Sequence, residues 1–384
     1  MDVTVRQASY DDARELEKYY YFAYGKRARY KYPERWNWLF RDNPWSKKDK
    51  PDIFVAESVD GEIVGHVASF SVPCKVLERS TVLGWGCDAK VSPSLRGQGV
   101  GKKLYERRQD CSLFGSFNSA KISTKIKLSL GAIVGPSARF FVYFNKFTHK
   151  YTLESLRSRS LETIPRSLLN CLLFLRYYRL ISKLHCTPNR SDVAIESRIG
   201  DPKPADFGDR DTKLWTTVRN KYDFAIERNA DYLNWRYREE PWGKHYCCRA
   251  YDNTDNVIGI SIFRISERQS IRCGVLLELY AVDGNADLLN ALLIKSMHFL
   301  AKQRVHQIHI ASSERVLAEV VKSTGFWEVN QFPVLLSGDE SIIMNINSES
   351  SAMLSLGDHD WDRPPEFYLS IDPLDFVRKL SRER

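Results

Sequence analysis

Val91-Ser-Pro-Ser-Leu-Arg-Gly-Gln-Gly-Val-Gly-Lys102 is the stretch of this 384-residue chain that decides the fold. An apolar strand pattern runs into it, three of five consecutive positions are glycine, and a helix pattern follows. Glycine lets the backbone approach a bulky anion closely and turn its N–H groups toward that anion. The first turn of the helix adds unpaired N–H groups and the positive end of its dipole. The stretch therefore predicts a cradle for a pyrophosphate.

The spacing of the glycines excludes two other phosphate-binding loops. A P-loop would place Gly-Lys-Ser/Thr four residues after its first glycine, and this sequence does not. A Rossmann fingerprint would place a third glycine where Leu104 stands. A glycine-rich turn without a ligand is the remaining alternative. The strand before the loop and the helix after it make that alternative the weaker one.

The elements predicted before the loop follow a definite order. They are a strand from Val3, a helix from Asp11, a hairpin of strands at 53–58 and 63–70, and a strand at 81–91. With its Arg-x-x-Gly-x-Gly form just after Val-x-Pro, the loop resembles the acetyl-CoA loop of the GNAT acyltransferase superfamily. The resemblance covers residues 1–150 and implies that this part of the chain folds as a GNAT domain.

A short segment of the chain occurs twice. Asn, Trp, Arg, Pro and Trp recur at the same spacing in residues 37–45 and 234–242, and a hairpin pattern follows each copy, at 53–70 and 246–263. Coincidence in a tryptophan-rich chain is the alternative, and the hairpins that follow in register argue against it. We therefore predict two copies of one fold.

The predicted fold class is α/β (α+β), with two tandem GNAT-like domains, each a mixed, mostly antiparallel twisted sheet flanked by helices. The predicted division is an N-terminal GNAT domain with the acetyl-CoA loop at 1–154, a basic amphipathic linker or helix at 155–192, and a degenerate GNAT-like domain at 193–384. The loop position of the second domain, Asp283-Gly-Asn-Ala-Asp287, has one glycine and two aspartates, and these carboxylates would repel a pyrophosphate. Substrate binding, covering of the site and structural support are the roles left to the second domain.

The resemblance implies which residues carry the chemistry. Acylation would be direct attack of an amine on a thioester, with acetyl-CoA as co-substrate and no metal. Asp88 is the candidate base, and the alternative is an aspartate that only orients the acceptor or pairs with a lysine. The general acid is usually a tyrosine on the helix after the next strand, which corresponds here to residues 135–147. Tyr143 is the candidate acid, although Val142 and Lys146 stand where the superfamily pattern has tyrosine and glycine, and packing of Tyr143 is the alternative.

The resemblance also implies which residues bind acetyl-CoA. The end of the strand before the loop would line the pantetheine arm, and the loop would hold the pyrophosphate. The residues so implied are Ala89, Lys90, Val91, Arg96, Gly97, Gln98, Gly99, Val100, Gly101 and Lys102.

The chain is basic, with a formal net charge of +9, and a cationic protein attracts anions such as CoA, nucleic acid or an acidic membrane surface. Basic and aromatic residues alternate at 19–38, as single-stranded nucleic acid would require. In a GNAT-like domain the same segment forms a wall of the acceptor pocket, so we expect the protein not to bind nucleic acid. Residues 164–184 could lie on an anionic membrane as an amphipathic helix, although a helix packed between the domains is the preferred interpretation.

Cysteine usage and the N-terminus indicate the compartment. Eight cysteines occur without a Cys-x-x-Cys, which indicates free thiols in a reducing environment. The N-terminus has no apolar signal core, so we expect a cytoplasmic protein. The acidic residues at 358–362 could ligate a metal, but ligands spaced so tightly on a loop are more often solvated, and we expect none.

The sequence as a whole predicts an acyltransferase that moves an acetyl group from acetyl-CoA to an amine of a small acceptor. An amino sugar is one acceptor that the resemblance suggests. Two alternatives stay open. The chain could be a non-catalytic CoA-binding or scaffold protein, or it could resemble the Fem-type aminoacyl transferases, which use an aminoacyl-tRNA.

Overall fold

A computed structural model describes residues 2–109, 113–117, 119–145, 198–268 and 271–358. The strands are β1 (Val3–Gln7), β2 (Ile53–Ser58), β3 (Ile63–Val76), β4 (Arg79–Val91), β5 (Phe114–Phe117), β6 (Ile133–Phe144), β7 (Arg198–Ile199), β8 (Lys203–Pro204), β9 (Phe224–Ile226), β10 (His245–Tyr251), β11 (Val257–Arg268), β12 (Ile271–Ala281), β13 (Gln307–Ser312), β14 (Trp327–Ser337) and β15 (Ala352–Met353). The helices are α1 (Ala13–Tyr24), α2 (Glu34–Trp36), α3 (Val100–Gln109), α4 (Lys121–Ser129), α5 (Asp209–Arg219), α6 (Ala230–Leu233), α7 (Ala286–Lys302), α8 (Arg315–Ser323) and α9 (Glu340–Ile343).

The chain forms two compact units, and neither is continuous in sequence. Unit 1 comprises Met1–Ala138, Phe207–Gly243 and Phe332–Arg363, and unit 2 comprises Arg139–Asp206, Lys244–Gln331 and Pro364–Arg384. Each half of the sequence therefore contributes segments to both units. The boundaries predicted at 154 and 193 fall outside the described residues, so the division into 1–154, 155–192 and 193–384 stays a prediction.

Unit 1 contains a mostly antiparallel sheet in the order β1-β2-β3-β4-β5-β14. Strands β1 to β4 are antiparallel neighbours, and β4 and β5 run parallel, with Gly84 opposite Phe114 and Trp85 opposite Gly115. The last strand, β14, comes from the second half of the sequence and pairs antiparallel with β5. Strand β9 adds to β3, and β15 pairs with β9.

Helices cover both faces of β3 in unit 1. A Cβ on Gly65 would meet Leu104 of α3 at 3.3 Å, and the next residue, His66, stacks against the tyrosines of α1. Neighbouring residues of a strand point to opposite faces, so α3 lies on one face and α1 on the other. The apolar cluster under α3 includes Phe54, Val67 and Leu104.

Unit 2 repeats this plan. Its sheet runs β10-β11-β12-β13-β6, with β12 and β13 parallel and the other neighbours antiparallel, and β7 and β8 pair with β10. Residues 139–144 of β6, from the first half of the sequence, close the sheet. Helix α7 buries Leu289, Leu292 and Leu293 in the core of the unit.

The predicted fold class is confirmed, because both units contain mixed, mostly antiparallel sheets flanked by helices. One local prediction is wrong. A helix is predicted within residues 135–147, whereas residues 135–144 belong to strand β6, which ends at Phe144. The physical reason is the aromatic and β-branched content of Phe140-Phe-Val-Tyr-Phe144, which favours a strand. The helix that follows β5 is α4, which lies earlier in the chain.

Several structural features of the two halves of the sequence correspond. Each copy of the repeated segment forms a π-helical turn, Asn37–Arg41 and Asn234–Arg238. In unit 1, Trp38 donates its indole N–H to the carbonyl of Trp235 (3.0 Å), and Trp235 donates its own to the carbonyl of Trp38 (3.3 Å). Two copies of one segment related by a local two-fold axis would bond in this reciprocal way. The observation supports the predicted internal repeat.

Candidate active site

The glycine loop has the open backbone that its sequence predicts. Gly97 and Gly99 have φ of +81° and +80°, a region that only glycine enters without strain. A Cβ at either position would meet no atom within 4 Å, so the space above the loop is open. Arg96 donates from Nε to the carbonyl of Val91 (3.3 Å) and closes the loop. The structure therefore places residues 96–99 in one exposed turn, and Val100, Gly101 and Lys102 begin α3, with Val100 buried.

Helix α3 presents unpaired amides at this loop. The N–H of Lys103 donates to the carbonyl of Gly99 at 3.1 Å, which is the i to i−4 bond of the first helical turn. The N–H groups of the preceding residues have no carbonyl within the helix to bond. Gly99, which directly precedes the helix, has no side chain that could cap them. An anion such as a pyrophosphate fits this set of donors.

Strand β4 has an open edge that leads away from the loop. Among the described residues β5 pairs with β4 only at Gly84 and Trp85, so the two strands separate beyond that point. Ser92 donates its N–H to the carbonyl of Val64 (2.9 Å), and in an antiparallel pair alternate residues make the ladder bonds. Ala89 and Val91 therefore direct their N–H and C=O groups away from β3. These groups can bond an extended ligand that lies along β4.

Two packed aromatic rings close the narrow end of this opening. A Cβ on Gly86 would lie 2.9 Å from Cζ of Phe114, and a Cβ on Gly115 would lie 2.8 Å from Cζ3 of Trp85. Both rings are 1% exposed. Glycine is required at both positions because the rings occupy the space that a side chain would need.

Asp88 lies beside a β-bulge on the α1 face of the sheet. Asp88 pairs with Ala68 and Gly86 pairs with Ser69, so Cys87 is the extra residue of β4. The Asp88 carboxylate accepts from Nζ of Lys31 and, at 3.1 Å, from Nη1 of Arg35. All three side chains are less than a tenth exposed. Pairing with a lysine is the alternative that the sequence left open for Asp88, and Asp88 contacts two buried cations in the structure. The role of Asp88 as the base stays a prediction.

His66 lies next to this group, under the tyrosines of α1. The hydroxyl of Tyr24 is 3.3 Å from Nε2 of His66, and the rings of Tyr20 and Tyr19 contact the imidazole edge-to-face at 5.1 and 5.5 Å. Burial lowers the pKa of His66 to about 4, against a smaller opposing effect of Asp88. The imidazole is therefore neutral at pH 7. Sequence reasoning did not select His66, because nothing local distinguishes it from an ordinary strand residue.

Lys127 is a second residue that sequence reasoning missed. It lies on α4, is 3% exposed, and donates from Nζ to Oγ of Ser116 (2.7 Å) and Oγ of Ser119 (2.8 Å). Burial lowers the pKa of Lys127 to about 7. A usable signal was present: Gly131, with φ of +85°, ends this helix, and Lys127 precedes it by the four residues that separate tyrosine from glycine in the superfamily pattern.

Tyr143 belongs to unit 2, whereas Asp88 and the loop belong to unit 1. It pairs with Ile308 on β13, and its ring contacts Phe326 at 5.4 Å in the apolar core of unit 2. This environment is the packing role that the sequence left as the alternative. The role of Tyr143 as general acid stays a prediction.

In the second half of the sequence the position that corresponds to the glycine loop is built differently. Asp283 and Gly284 form a tight turn with φ of +52° and +61°, and α7 follows directly. The side chain of Asn285 accepts from the N–H of Leu288 (2.9 Å) and caps α7. Asp287 adds a negative charge in the first turn. These features do not favour an anion, and the degenerate second domain at 193–384 stays a prediction.

Comparison with known proteins identifies the family. The model of the Acetyltransferase (GNAT) family matches residues 12–110. An uncharacterized N-acetyltransferase of Archaeoglobus fulgidus is 31% identical over 115 residues, which are 28% of this chain and 73% of that protein. The chain belongs to the GNAT acetyltransferase family. This GNAT protein is therefore an acyltransferase.

Solved structures show the same fold over most of this GNAT protein. A GCN5-related N-acetyltransferase from Anabaena variabilis aligns with a TM-score of 0.54 at 10% identity, covering 87% of this chain and 72% of that one. N-myristoyltransferase of Saccharomyces cerevisiae with bound myristoyl-CoA aligns with a TM-score of 0.52 at 10% identity, covering 96% and 89%. At such identities the likeness concerns the fold alone.

The remaining sequence predictions are tested only where residues are described. Cys74, Cys87, Cys247, Cys248 and Cys273 are buried free thiols. Within the described part of this GNAT protein no helix is long and apolar enough to cross a membrane, and no group of three metal-binding side chains occurs. Residues 164–184 and 359–362 lie outside the described residues, so the prediction of membrane contact and, for 359–362, the prediction of a solvated acidic loop stay untested. For Asp358 the prediction of a solvated side chain is wrong, because Asp358 is buried and accepts from Nη2 of Arg228 at 2.6 Å.

Proposed function

We propose that unit 1 transfers an acetyl group from acetyl-CoA to the amine of a small acceptor by direct attack. The observation that carries this proposal is the open edge of β4, which leads from the glycine loop to the bulge beside Asp88. A ligand with an anionic head and an extended amide arm fits both parts. Bound there, acetyl-CoA would supply an acyl group activated as a thioester.

The residues that would hold acetyl-CoA are those of the loop and of the open edge. The amides of the first turn of α3, which follow Gly99, would bond the pyrophosphate, and Lys102 and Arg96 add positive charge beside it. The N–H and C=O groups of Ala89 and Val91 would bond the amides of the pantetheine arm. We expect no metal, because the loop offers amide donors and two basic side chains to the phosphates.

The packing at the end of the opening supports a short acyl group. Phe114 and Trp85 fill the space around Gly86 and Gly115, so a long chain would have to displace a buried ring. Displacing such a ring would cost about 3–5 kcal/mol of packing. We therefore infer a preference for acetyl over long acyl chains.

The acceptor would lie on the α1 face, beside Asp88, Lys31 and His66. Lys31 and Arg35 form ion pairs with Asp88. Nζ of Lys31 and Nζ of Lys90 lie 4.6 Å and 5.6 Å from the centre of the Tyr24 ring. Aromatic and polar walls of this kind suit a small polar amine such as an amino sugar. Asp88 would act there as the base, or would hold the cations that position the acceptor. We place the reaction in the cytoplasm, which the free thiols support.

Calorimetric titration of acetyl-CoA into the wild type and into Gly99→Glu tests the proposal. A glutamate there would place a carboxylate against the pyrophosphate, and like charges about 4 Å apart repel by about 4 kcal/mol at an effective dielectric of 20. Solvent screening reduces this, and we expect binding at least about 100-fold weaker. Gly131→Glu is the matched control, because Gly131 also has a positive φ, +85°, and no atom within 4 Å of its Cβ position. The substitution adds the same charge.

Tight binding to the wild type and to Gly131→Glu, with loss in Gly99→Glu, is the expected result. Absence of binding to the wild type would refute the proposal. A release assay for the CoA thiol over a panel of amines then separates an enzyme from the CoA-binding scaffold, which would bind without turnover. The Fem-type alternative predicts use of aminoacyl-tRNA, and the glycine loop favours CoA over it.

A further inference from the structure

Lys127 is a buried cation whose described partners are hydroxyl groups and rings. In the same unit Lys31 and Arg35 pair with Asp88, and Arg108 pairs with Asp52. Lys127 donates instead to the hydroxyls of two serines, and its Nζ lies 5.2 Å from the ring centres of Tyr105 and Phe114. Desolvating an ammonium without a carboxylate costs stability. A buried lysine in such an environment is a candidate for a catalytic role rather than a structural one.

The position of Lys127 places it at the acyl end of the proposed binding site. Its partner Ser116 has Cβ 3.3 Å from where a Cβ on Gly86 would lie, and Gly86 stands between the last β4–β5 pair and the bulge. The preceding residue, Ile126, lies 3.5 Å from the Cβ position of Gly101 in the first turn of α3. Helix α4 therefore flanks the opening from the glycine loop to the point where β4 and β5 diverge.

We propose that Lys127 donates the proton that the leaving thiol takes up when the acyl group is transferred. This inference rests on the function proposed above. The bond between the acyl carbon and sulfur breaks with its electron pair on sulfur, and a proton from Nζ passes to that sulfur, leaving a neutral amine. The acceptor ammonium loses two protons in becoming an amide. One of them restores Lys127 by way of solvent, and the other is released.

The acidity of Lys127 suits this task. Its pKa of about 7 follows from burial, so the ammonium gives up a proton near neutral pH more readily than an exposed lysine does. Tyr105 of α3 faces it, and Phe114 and Ser116 face it from β5. Tyr105 is the titratable group among these three, and burial raises its pKa, so it stays neutral. An ordinary thiol has its pKa above 7, and transfer to its thiolate is therefore downhill.

The test measures the pKa of the thiol of bound CoA, and it needs no acceptor. Thiolate absorbs in the ultraviolet, and the complex with dethio-CoA, in which hydrogen replaces the thiol, supplies the baseline at each pH. Lys127 and the bound thiol should titrate as a coupled pair, because Lys127 itself loses its proton near pH 7. In the wild type the apparent pKa of the bound thiol should therefore lie up to about one unit below that of free CoA, which is at most a tenfold change in its ionisation constant. In Lys127→Met that pKa should return to the free value or above it, while the Kd of dethio-CoA stays the same.

Lys125→Met is the matched control, because Lys125 is exposed two residues earlier on the same helix, and it should behave as the wild type. Lys127→Met should also raise Tm, since it removes a buried charge that has no carboxylate partner among the described residues; a structural lysine would lower Tm. Lys127→Gln, which can still bond the serines, serves if the methionine variant does not fold. An unchanged thiol pKa in the variants would overturn this inference while leaving CoA binding intact. No binding of CoA to the wild type would overturn the proposed function and this inference together.

Discussion

Asp88 forms ion pairs with two buried cations, and its replacement by asparagine should destabilise unit 1 strongly. The side chains of Lys31, Arg35 and Asp88 are 7%, 2% and 9% exposed, so water cannot take the place of the lost carboxylate. Removing one partner of a buried ion pair costs about 3–5 kcal/mol, and asparagine has nearly the same volume, so little of that loss reflects a cavity. At about 2–4 °C per kcal/mol for a unit of this size, Tm should fall by roughly 6–20 °C.

Denaturant and thermal unfolding of Asp88→Asn measure this loss. Glu15→Gln is the matched control, because Glu15 also accepts from a lysine, Lys18, at 2.8 Å, but both side chains are exposed, and such pairs contribute about 0.5 kcal/mol or less. Adding Lys31→Met to Asp88→Asn should recover part of the loss, since one uncompensated cation is gone. If Asp88→Asn cost no more than Glu15→Gln, the reasoning about the buried cations would be refuted. Abolished turnover with unchanged stability would favour the base role for Asp88.

Three further predictions concern other contacts of unit 1. Burial lowers the pKa of His66 from 6.5 to about 4, so between these values only the unfolded chain binds the proton. The free energy of unfolding should therefore fall by about 3 kcal/mol as pH drops from 6.5 to 4. In His66→Gln the free energy of unfolding, measured with urea, should change less over this pH range. An unchanged slope would contradict the lowered pKa of His66. Phe114→Ala should lose about 3–5 kcal/mol of stability and improve binding of hexanoyl-CoA relative to acetyl-CoA in calorimetry; an unchanged ratio would remove Phe114 from chain-length selection. Trp38→Phe and Trp235→Phe should each cost about 1–2 kcal/mol in urea unfolding, because each indole donates to the other's carbonyl, and a much smaller cost for either would count against the reciprocal pair.

The parts of unit 1 that the sequence predicted are those with local signals. The hairpin predicted at 53–58 and 63–70 forms as β2 and β3, with Gly61 of its turn at φ of +79°, and the loop glycines at 97 and 99 have the positive φ that only glycine accepts readily. Strand β4 ends at Val91, as the apolar pattern before the loop predicts. In each case the conformation follows from neighbouring residues, so a single sequence contains the information.

The parts that were missed depend on contacts between distant residues. Lys121, Lys125 and Lys127 lie on one short helix, and only the third is buried, because Tyr105 and Phe114 from other elements surround it. The pairing of Asp88 with Lys31 and Arg35 likewise joins segments that are far apart in sequence. No local pattern distinguishes Lys31, Arg35 and Asp88 from solvated residues, and for Lys127 the signal is its spacing from Gly131.

The second half of the sequence contributes strands to unit 1, and this gives that half a structural role there. Strand β14 comes from the second half of the sequence and pairs with β5, and β5 is the strand that diverges from β4 at the proposed acyl end. Without β14 the four-residue β5 would be an edge strand, and Ser116, which holds Lys127, lies on it. The second half also keeps an acidic residue beside its own bulge, Glu278, at the place where the first half has Asp88. The second half of the sequence therefore completes the sheet of unit 1, on which the chemistry proposed for that unit depends.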